Sequence, residues 1–261
     1  MDTAVVLTTT LGAVCILMGS LWLLSLATHD VSVVDIFWGL GFVLVAHVAR
    51  ATAGATDPRA WLVVALVTLW GLRLALYLLW RNWGQGEDYR YAAMRTHYGA
   101  RFGRVSLYTV FGLQGVLMWF ISLPVQVAVS AGAPATLTGL DALGVACWAV
   151  GFGFEAIGDA QLARFKADPA HRGAVMDRGL WAYTRHPNYF GDALAWWGLF
   201  LIAAATPYGV WTVLSPVVMT VLLMRVSGVA LLERKLTKTR PEYAAYCRRV
   251  NAFVPWFPRR A

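Results

Sequence analysis

The fold is decided by the stretch Gly179-Leu180-Trp181-Ala182-Tyr183-Thr184-Arg185-His186-Pro187-Asn188-Tyr189-Phe190-Gly191-Asp192, which follows a basic segment and leads into an apolar run. Pro187 fixes its own φ and disfavours the α region for His186, so a helix is predicted to begin at Pro187. Asn188 then lies in the first turn, where backbone N–H groups and the positive end of the helix dipole favour an anion such as phosphate. The stretch therefore predicts an anion-binding helix start at the edge of an apolar layer.

The composition indicates a membrane protein. Of the 261 residues, 59% are hydrophobic and only 14% are charged, and mean hydropathy is +0.57. A soluble domain of this length would need more charge to cover its surface. Thirteen Trp and ten Tyr suit two interfacial belts of aromatic side chains. The net charge of +8 comes from bases that flank apolar runs, so we expect contact with membrane lipids and no nucleic-acid partner.

Seven apolar runs are long enough to cross a bilayer, which takes about 20 helical residues. No strand alternation is evident, so an all-α, polytopic membrane protein is predicted, organised as one transmembrane domain over residues 1–261. The first run lacks a basic segment before it and is expected to be a retained span rather than a signal peptide. The predicted spans are residues 4–27, 31–48, 61–80, 107–131, 139–157, 189–205 and 209–232.

Loop charges predict the orientation. Residues 82–105 hold four Lys and Arg, residues 158–189 hold five and residues 232–261 hold eight, whereas residues 132–138 and 206–208 hold none. Cytoplasmic loops carry the excess of Lys and Arg. The N-terminus is therefore expected outside and the C-terminus in the cytoplasm. The three cysteines have no metal-binding spacing, so neither a disulfide framework nor a metal site is expected.

Two charged residues inside the early runs are candidate functional positions. A charge within a span costs roughly 2.5–3.5 kcal/mol and usually faces a cavity or a partner. Asp35 is either an interfacial acid near a helix start or a buried, protonated acid that lines a pocket and donates a hydrogen bond. Arg73 is expected to have a buried partner, for which Asp35 and Glu155 are both available.

A second polar group lies in residues 155–192. Glu155 and Asp159 are four residues apart and share a helix face. Arginine forks bind phosphate and acids accept from ribose hydroxyls, so acids mixed with bases suit a nucleotide. The alternative is a solvated basic loop that touches anionic lipid. A Rossmann domain is not expected, because no Gly-x-Gly-x-x-Gly follows a strand. The positive residues considered in this segment are Arg164, Lys166, Arg172, Arg178 and Arg185, together with His186.

The pattern Gly-Leu-Trp-x-Tyr-x-Arg-His-Pro-Asn-Tyr-x-Gly-Asp, followed by Trp196, resembles the C-terminal part of membrane steroid 5α-reductases. Related versions occur in isoprenylcysteine carboxyl methyltransferases and sterol C14-reductases. Asp35-Ile36-Phe37-Trp38-Gly39 and Arg90 are similar to a bacterial, steroid-reductase-like branch, which implies a bacterial inner membrane. The resemblance implies seven helices around a cavity, with NADPH bound from the cytoplasmic side by residues 155–261.

The resemblance also implies site residues. Asp35 falls on the family's catalytic glutamate, and Trp70 falls where the family has a catalytic tyrosine. A second donor is then expected from Tyr77, Tyr89 or Tyr91. Lys166 lies near a position that binds the 2′-phosphate of NADPH. The expected cofactor-binding residues are Arg73, Glu155, Asp159, Arg164, Lys166, Tyr183, Arg185, His186, Asn188, Asp192, Trp196, Arg225, Glu233, Tyr243 and Tyr246.

These observations predict an NADPH-dependent reductase of a conjugated enone in a steroid-like lipid that enters from the bilayer. Hydride would pass to the β-carbon, and Asp35 would stabilise the enolate oxygen. The alternative is a methyltransferase that uses S-adenosylmethionine, because the same Arg-His-Pro motif occurs there; the surplus of bases favours the phosphate-rich NADPH. A non-catalytic lipid-binding membrane protein is a third reading. A monomer is expected.

Overall fold

The computed structural model describes residues 2–226 and 228–259, and in these residues it is helical with no β-strand. The chain forms two compact units. The first comprises the residues up to Thr138 together with Ile202–Ser215, and the second comprises Gly139–Leu201 and the residues from Pro216 onward. The predicted all-α membrane class is confirmed, since six helical segments in the described residues are long and apolar enough to cross a bilayer: Thr3–Thr28, Val33–Ala53, Pro58–Asn82, Tyr89–Ile121, Gly139–Ala167 and Gly209–Val226.

The first unit is built around three long helices whose ends follow local sequence signals. Asp2 caps the first helix by accepting from the N–H of Ala4 at 2.9 Å. Asp57 caps the third, and Pro58 occupies its first turn, where a missing N–H costs nothing. Gly54 ends the second in the left-handed conformation. The helices of this unit are α1 (Thr3–Thr28), α2 (Val33–Ala53), α3 (Pro58–Asn82), α4 (Tyr89–Tyr98), α5 (Phe102–Ser106), α6 (Leu113–Ile121) and α7 (Leu123–Ser130).

Helices α2 and α3 pack with their backbones in close approach. A Cβ added to either Gly39 or Gly71 would lie 2.5 Å from the carbonyl oxygen of the other. Small residues allow this approach between membrane helices, where packing replaces the hydrophobic effect as the driving force. Ser32, just before α2, accepts from the N–H of Asp88, just before α4, at 2.6 Å. The start of α2 and the start of α4 are thereby held together.

The outer face of α3 is apolar along its length. Leu69, Leu72, Leu76, Trp80 and Trp83 recur at helical spacing, and their side chains are exposed. In water such an apolar stripe would favour aggregation. In a bilayer it faces the acyl chains, and the tryptophans at its end suit the membrane interface.

The fourth and the seventh predicted spans differ most from the helices of the structure. Residues 89–106, predicted to belong to a loop, are largely helical, and the fourth candidate span runs from Tyr89 to Ile121. It stops at Ser122 because Pro124 has no N–H to continue the hydrogen-bond ladder. The predicted span 209–232 is likewise divided: a π-helical turn, Leu222–Val226, ends it, and a new helix starts after Gly228.

The second unit centres on two long helices that touch through glycine. A Cβ on Gly191 would lie 2.4 Å from the backbone nitrogen of Glu155 and from the carbonyl oxygen of Gly151. Helix α9 begins at Pro187, as predicted. Helix α8 runs ten residues beyond its predicted end at residue 157 and stops before Asp168 and Pro169. The helices are α8 (Gly139–Ala167), α9 (Pro187–Ala204), α10 (Leu214–Val221, which begins in the first unit), α11 (Val229–Thr239) and α12 (Tyr243–Arg249).

Candidate functional site

In the first unit, Asp35 is the centre of a polar cluster. It lies in the first turn of α2 and its side chain is mostly buried, 19% exposed. Arg90 donates from Nη2 to Oδ2 at 2.7 Å, and the Tyr91 hydroxyl donates to Oδ1 at 2.7 Å. The Gln114 amide in turn donates to the Tyr91 oxygen at 3.2 Å, and Asp88 accepts from Arg90 Nε at 2.8 Å. One acid thus holds a cation and a phenol side by side.

This geometry changes the role expected of Asp35. Each carboxyl oxygen of Asp35 lies 2.7 Å from a polar partner, Arg90 on one side and Tyr91 on the other, so Asp35 orients both groups. The ion pair of Asp35 is with Arg90, whereas Arg73 was one of the partners considered from the sequence. The hydroxyl beside Asp35 belongs to Tyr91, one of the three tyrosines named as a possible second donor.

Of the other residues predicted near the reaction, Trp70, Arg73 and Tyr77 lie along α3. Trp70 is buried and meets Phe42 edge to face, with 5.6 Å between ring centroids. The Arg73 guanidinium lies 5.3 Å from the centroid of the Tyr77 ring. Trp70 therefore helps to pack α2 against α3, and Arg73 forms a cation–π contact with the next turn of its own helix.

A loop network that the sequence did not predict supports the Asp35 cluster. Glu87 accepts from the backbone N–H of Val31 at 3.0 Å, and Arg95 grips the Glu87 carboxylate with two bonds of 2.8 and 2.9 Å. The hydrogen bond from Arg95 outweighs burial and lowers the pKa of Glu87. Glu87 and Arg95 stand eight residues apart across a loop, and no spacing rule joins them. Together they fix the short connection before α2 to the segment that carries Arg90 and Tyr91.

In the second unit, the start of α9 docks on α8. Asn188 donates from Nδ2 to Asp159 Oδ1 at 3.0 Å, and its own Oδ1 accepts from the N–H of Tyr189 at 3.1 Å. Gly158 makes the approach possible, because a Cβ there would lie 3.2 Å from the Asn188 nitrogen. Glu155 and Asp159, which were expected to share a helix face, are both buried on α8. The start of α9 was predicted to bind an anion through its free N–H groups. One of these groups, the N–H of Tyr189, already donates to the Asn188 side chain.

His186 and Arg185 share one acid. Arg185 Nε donates to Glu233 Oε1 at 2.8 Å, and His186 Nε2 lies 3.2 Å from the same oxygen. Burial would raise the pKa of Glu233, but hydrogen bonds with His186 and Arg185 lower it to about 2. The His186 ring also stacks on Tyr189 with an interplanar angle of 11°. The Arg-His pair thus carries a permanent carboxylate partner from α11.

The Arg185 guanidinium also donates hydrogen bonds to the C-terminal segment. Its Nη1 donates to the carbonyl oxygens of Cys247 at 3.1 Å and of Val250 at 2.5 Å. Tyr246 donates to the carbonyl oxygen of Trp181 at 2.5 Å, and Tyr243 packs beside it in a buried cluster. Burial raises the pKa of both tyrosines, which therefore stay neutral. These contacts hold the C-terminal segment against the loop that precedes α9. The sequence did not indicate this structural role for Arg185, Tyr243 and Tyr246.

The remaining predicted cofactor residues fall into two classes. Asp192 and Trp196 are buried on α9. Arg164 and Lys166 are exposed in the last turn of α8, Arg225 is exposed in the π-helical turn, and Tyr183 is 42% exposed. The second unit thus brings together Glu155, Asp159, Arg185, His186, Asn188 and Glu233, while the exposed bases stand at the ends of its helices.

Comparison with known proteins supports the assignment to a family. The family model DUF1295, described as a protein of unknown function, matches residues 21–250, which is most of the chain. This family is steroid 5α-reductase-like. No curated protein and no solved structure matches the chain.

Proposed function

The chain belongs to the DUF1295 family, and we propose that it is a membrane reductase that uses NADPH to reduce the C=C bond of a conjugated enone in a steroid-like lipid. The observation that carries the proposal is the Asp35–Tyr91 pair with Arg90 beside it. Negative charge develops on the carbonyl oxygen when hydride adds to an enone, and preorganised donors aimed at that oxygen are the largest source of rate enhancement in such steps. Methyl transfer develops no such charge on a lipid carbonyl.

The residues at the start of α9 fit a dinucleotide. The Asp159 carboxylate and the Asn188 amide form a partly buried donor–acceptor pair, which suits amide and hydroxyl groups, and the exposed Arg164 and Lys166 suit phosphates. Asn188, Asp159 and His186 would hold the cofactor, and Arg164 with Lys166 would bind its phosphate groups. Arg185 would act through Glu233 and the C-terminal segment. Bound NADPH would supply the hydride for the β-carbon, and a proton from water would complete the reduction at the α-carbon.

Asp35 would act as the acceptor that positions two donors. With its carboxylate held by Arg90 and Tyr91, the phenol and the guanidinium are aligned before substrate binds. As charge develops on the substrate oxygen, Tyr91 would turn its O–H from Asp35 toward that oxygen, and Gln114 would keep the phenol in place. Arg90 carries N–H groups beyond those that bind Asp35 and Asp88, and these would serve as the second donor.

The membrane arrangement is part of the proposal. Helix α9, which packs on α8 through Gly151 and Gly191, would be a seventh span in addition to the six apolar segments. The basic segments at residues 82–105, 158–189 and 232–261 would then all face the cytoplasm, with the N-terminus outside. We place the protein as a monomer in a bacterial inner membrane, with its substrate entering from the lipid.

Cofactor choice is tested by titrating purified protein with NADPH and with S-adenosylmethionine while recording tryptophan fluorescence. We expect NADPH to quench the emission by energy transfer and S-adenosylmethionine to have no effect. Asn188→Ala removes one hydrogen bond to a carboxylate and should weaken NADPH binding about 10- to 100-fold. Asn82→Ala, which alters an asparagine of the first unit, is the matched control. A response to S-adenosylmethionine alone would favour the methyltransferase.

The role of the Asp35 cluster is tested by turnover. Removing one donor to a developing oxyanion costs about 10²–10³ in kcat. Tyr91→Phe should therefore lower turnover of a 3-oxo-4-ene steroid by that factor and leave NADPH affinity unchanged. Tyr108→Phe is the control, because Tyr108 is 74% exposed. Wild-type turnover in Tyr91→Phe would remove this hydroxyl from the mechanism.

A further inference from the structure

The last described residues form an ordered strap, which we define as residues 250–259. Its backbone runs along the loop that precedes α9. The N–H of Arg185 donates to the carbonyl oxygen of Asn251 at 2.9 Å, and the Thr184 hydroxyl donates to that of Phe253 at 2.7 Å. The N–H of Trp256 donates to the carbonyl oxygen of Tyr183 at 2.9 Å. The strap is therefore fixed to the body of the second unit and its side chains have set directions.

Three large apolar side chains of the strap point away from the protein. Val254 is 59% exposed, Trp256 is 66% exposed and Phe257 is 75% exposed, while the intervening backbone is hydrogen-bonded. Tyr183, itself partly exposed, meets Phe257 edge to face with 6.1 Å between centroids. Together these four residues make an aromatic patch on a rigid support. Such a patch exposed to water is unfavourable and marks a surface that something apolar covers.

Three exposed arginines flank the patch in the sequence. Arg248, Arg249 and Arg259 are exposed, and the N–H of Arg259 donates to the carbonyl oxygen of Arg249 at 2.9 Å. Arg249 makes a 3.3 Å ion pair with Asp177 in which both side chains are more than 40% exposed. A pair this exposed contributes little to stability, so the phosphate of an anionic lipid can compete with Asp177 for the guanidinium.

The strap backbone suits an apolar boundary. Pro255 and Pro258 have no N–H, and the N–H groups of Trp256 and Arg259 already have protein acceptors. Donors that need no water can enter the headgroup region at low cost. The position also fits, because α8 ends at Ala167 and α9 begins at Pro187, so Tyr183 lies at that end of the helix pair.

We propose that the strap binds the surface of the bilayer that holds the protein, with Trp256 and Phe257 in the headgroup boundary and the three arginines on the phosphates of anionic phospholipids. Aromatic side chains favour the headgroup level of a bilayer, and arginines near them are attracted to anionic lipids. The three arginines supply the charge complementarity, and the patch supplies the apolar contact. The proposal is independent of the reaction that the protein catalyses.

The test measures phospholipid retention by the intact protein in detergent, using native mass spectrometry with phosphatidylglycerol and phosphatidylcholine added separately. We expect phosphatidylglycerol to bind in preference. Each arginine near an anionic surface is worth about a fivefold gain in binding. Arg248→Gln combined with Arg249→Gln should therefore remove most of the preference. Equal binding of the two lipids by the wild-type protein would overturn the proposal.

Three further variants distinguish lost lipid binding from a damaged fold. Asp177→Asn removes the acid that competes for Arg249 and should increase phosphatidylglycerol binding, an effect opposite in sign to that of a damaged fold. Trp256→Ala should weaken binding of both lipids. Trp211→Ala should change neither, because Trp211 is 78% exposed but no Lys or Arg lies in residues 205–214. Unchanged binding in Asp177→Asn, or equal losses in Trp256→Ala and Trp211→Ala, would contradict the strap as the site.

Discussion

Replacing Arg185 by glutamine tests whether this arginine holds the C-terminal segment or grips a phosphate. Its side chain is 11% exposed and makes a 2.8 Å ion pair with Glu233 and two bonds to main-chain carbonyl oxygens. Removing one partner of a buried ion pair costs about 3–5 kcal/mol, because the other charge is left uncompensated. In a chain of this size that corresponds to a fall in melting temperature on the order of 10 °C.

The assay combines thermal unfolding in detergent with hydrogen exchange of residues 243–259. We expect Arg185→Gln to lower the melting temperature and to expose to exchange the amide of Trp256, which donates to the carbonyl oxygen of Tyr183. Arg185→Lys keeps the charge but not the forked geometry and should recover part of both. A variant that keeps its melting temperature and its protected tail but loses NADPH affinity would refute the assignment and return Arg185 to the phosphate site.

Three further outcomes follow from the packing and charges. The free energy of unfolding should fall as the pH drops from about 4.5 toward 2, because ionised Glu233 stabilises the fold and is protonated over this range. Thermal unfolding should show a loss of at most about 3 kcal/mol, and Glu233→Gln should not show this loss. Gly191→Ala places a Cβ 2.4 Å from the backbone of α8 and should destabilise by about 1–3 kcal/mol, whereas Gly153→Ala on α8, with nothing within 4 Å, should not; equal melting temperatures would contradict the close packing. Glu87→Gln weakens the grip of Arg95 and should speed hydrogen exchange at the N–H of Val31, and unchanged protection there would show that this loop network is not what fixes the start of α2.

The parts of the fold that could be predicted are those governed by local rules. Pro187 restricts His186, so the start of α9 follows from two residues. Apolar runs of sufficient length gave most of the membrane helices, because a span needs little beyond length and hydrophobicity. The segment 89–106 was missed for the same reason: it is basic and polar, so hydrophobicity does not mark it as a membrane helix, although Asp88 caps its first helix.

The candidate site was predictable in its residues and not in their partners. Asp35 stood out because an acid is costly within an apolar run, but its pairing with Arg90 and Tyr91 spans more than fifty residues and depends on how α2 meets α4. The Arg185–Glu233 pair likewise joins residues 48 positions apart. Sequence spacing identifies groups that share one helix face, as with Glu155 and Asp159, and carries no information on contacts made by tertiary packing.

The most direct test of the central claim is the fate of the hydride. Purified protein would be incubated with a 3-oxo-4-ene steroid and NADPH carrying deuterium at the transferable position of the nicotinamide, with each of the two stereospecific labels in turn, and the product analysed by mass spectrometry. We predict that one of the labels places a single deuterium on the β-carbon of the saturated ketone, and that Tyr91→Phe slows this transfer without changing its position. A product without deuterium from either label, or one that carries a methyl group when S-adenosylmethionine is supplied instead, would contradict the account.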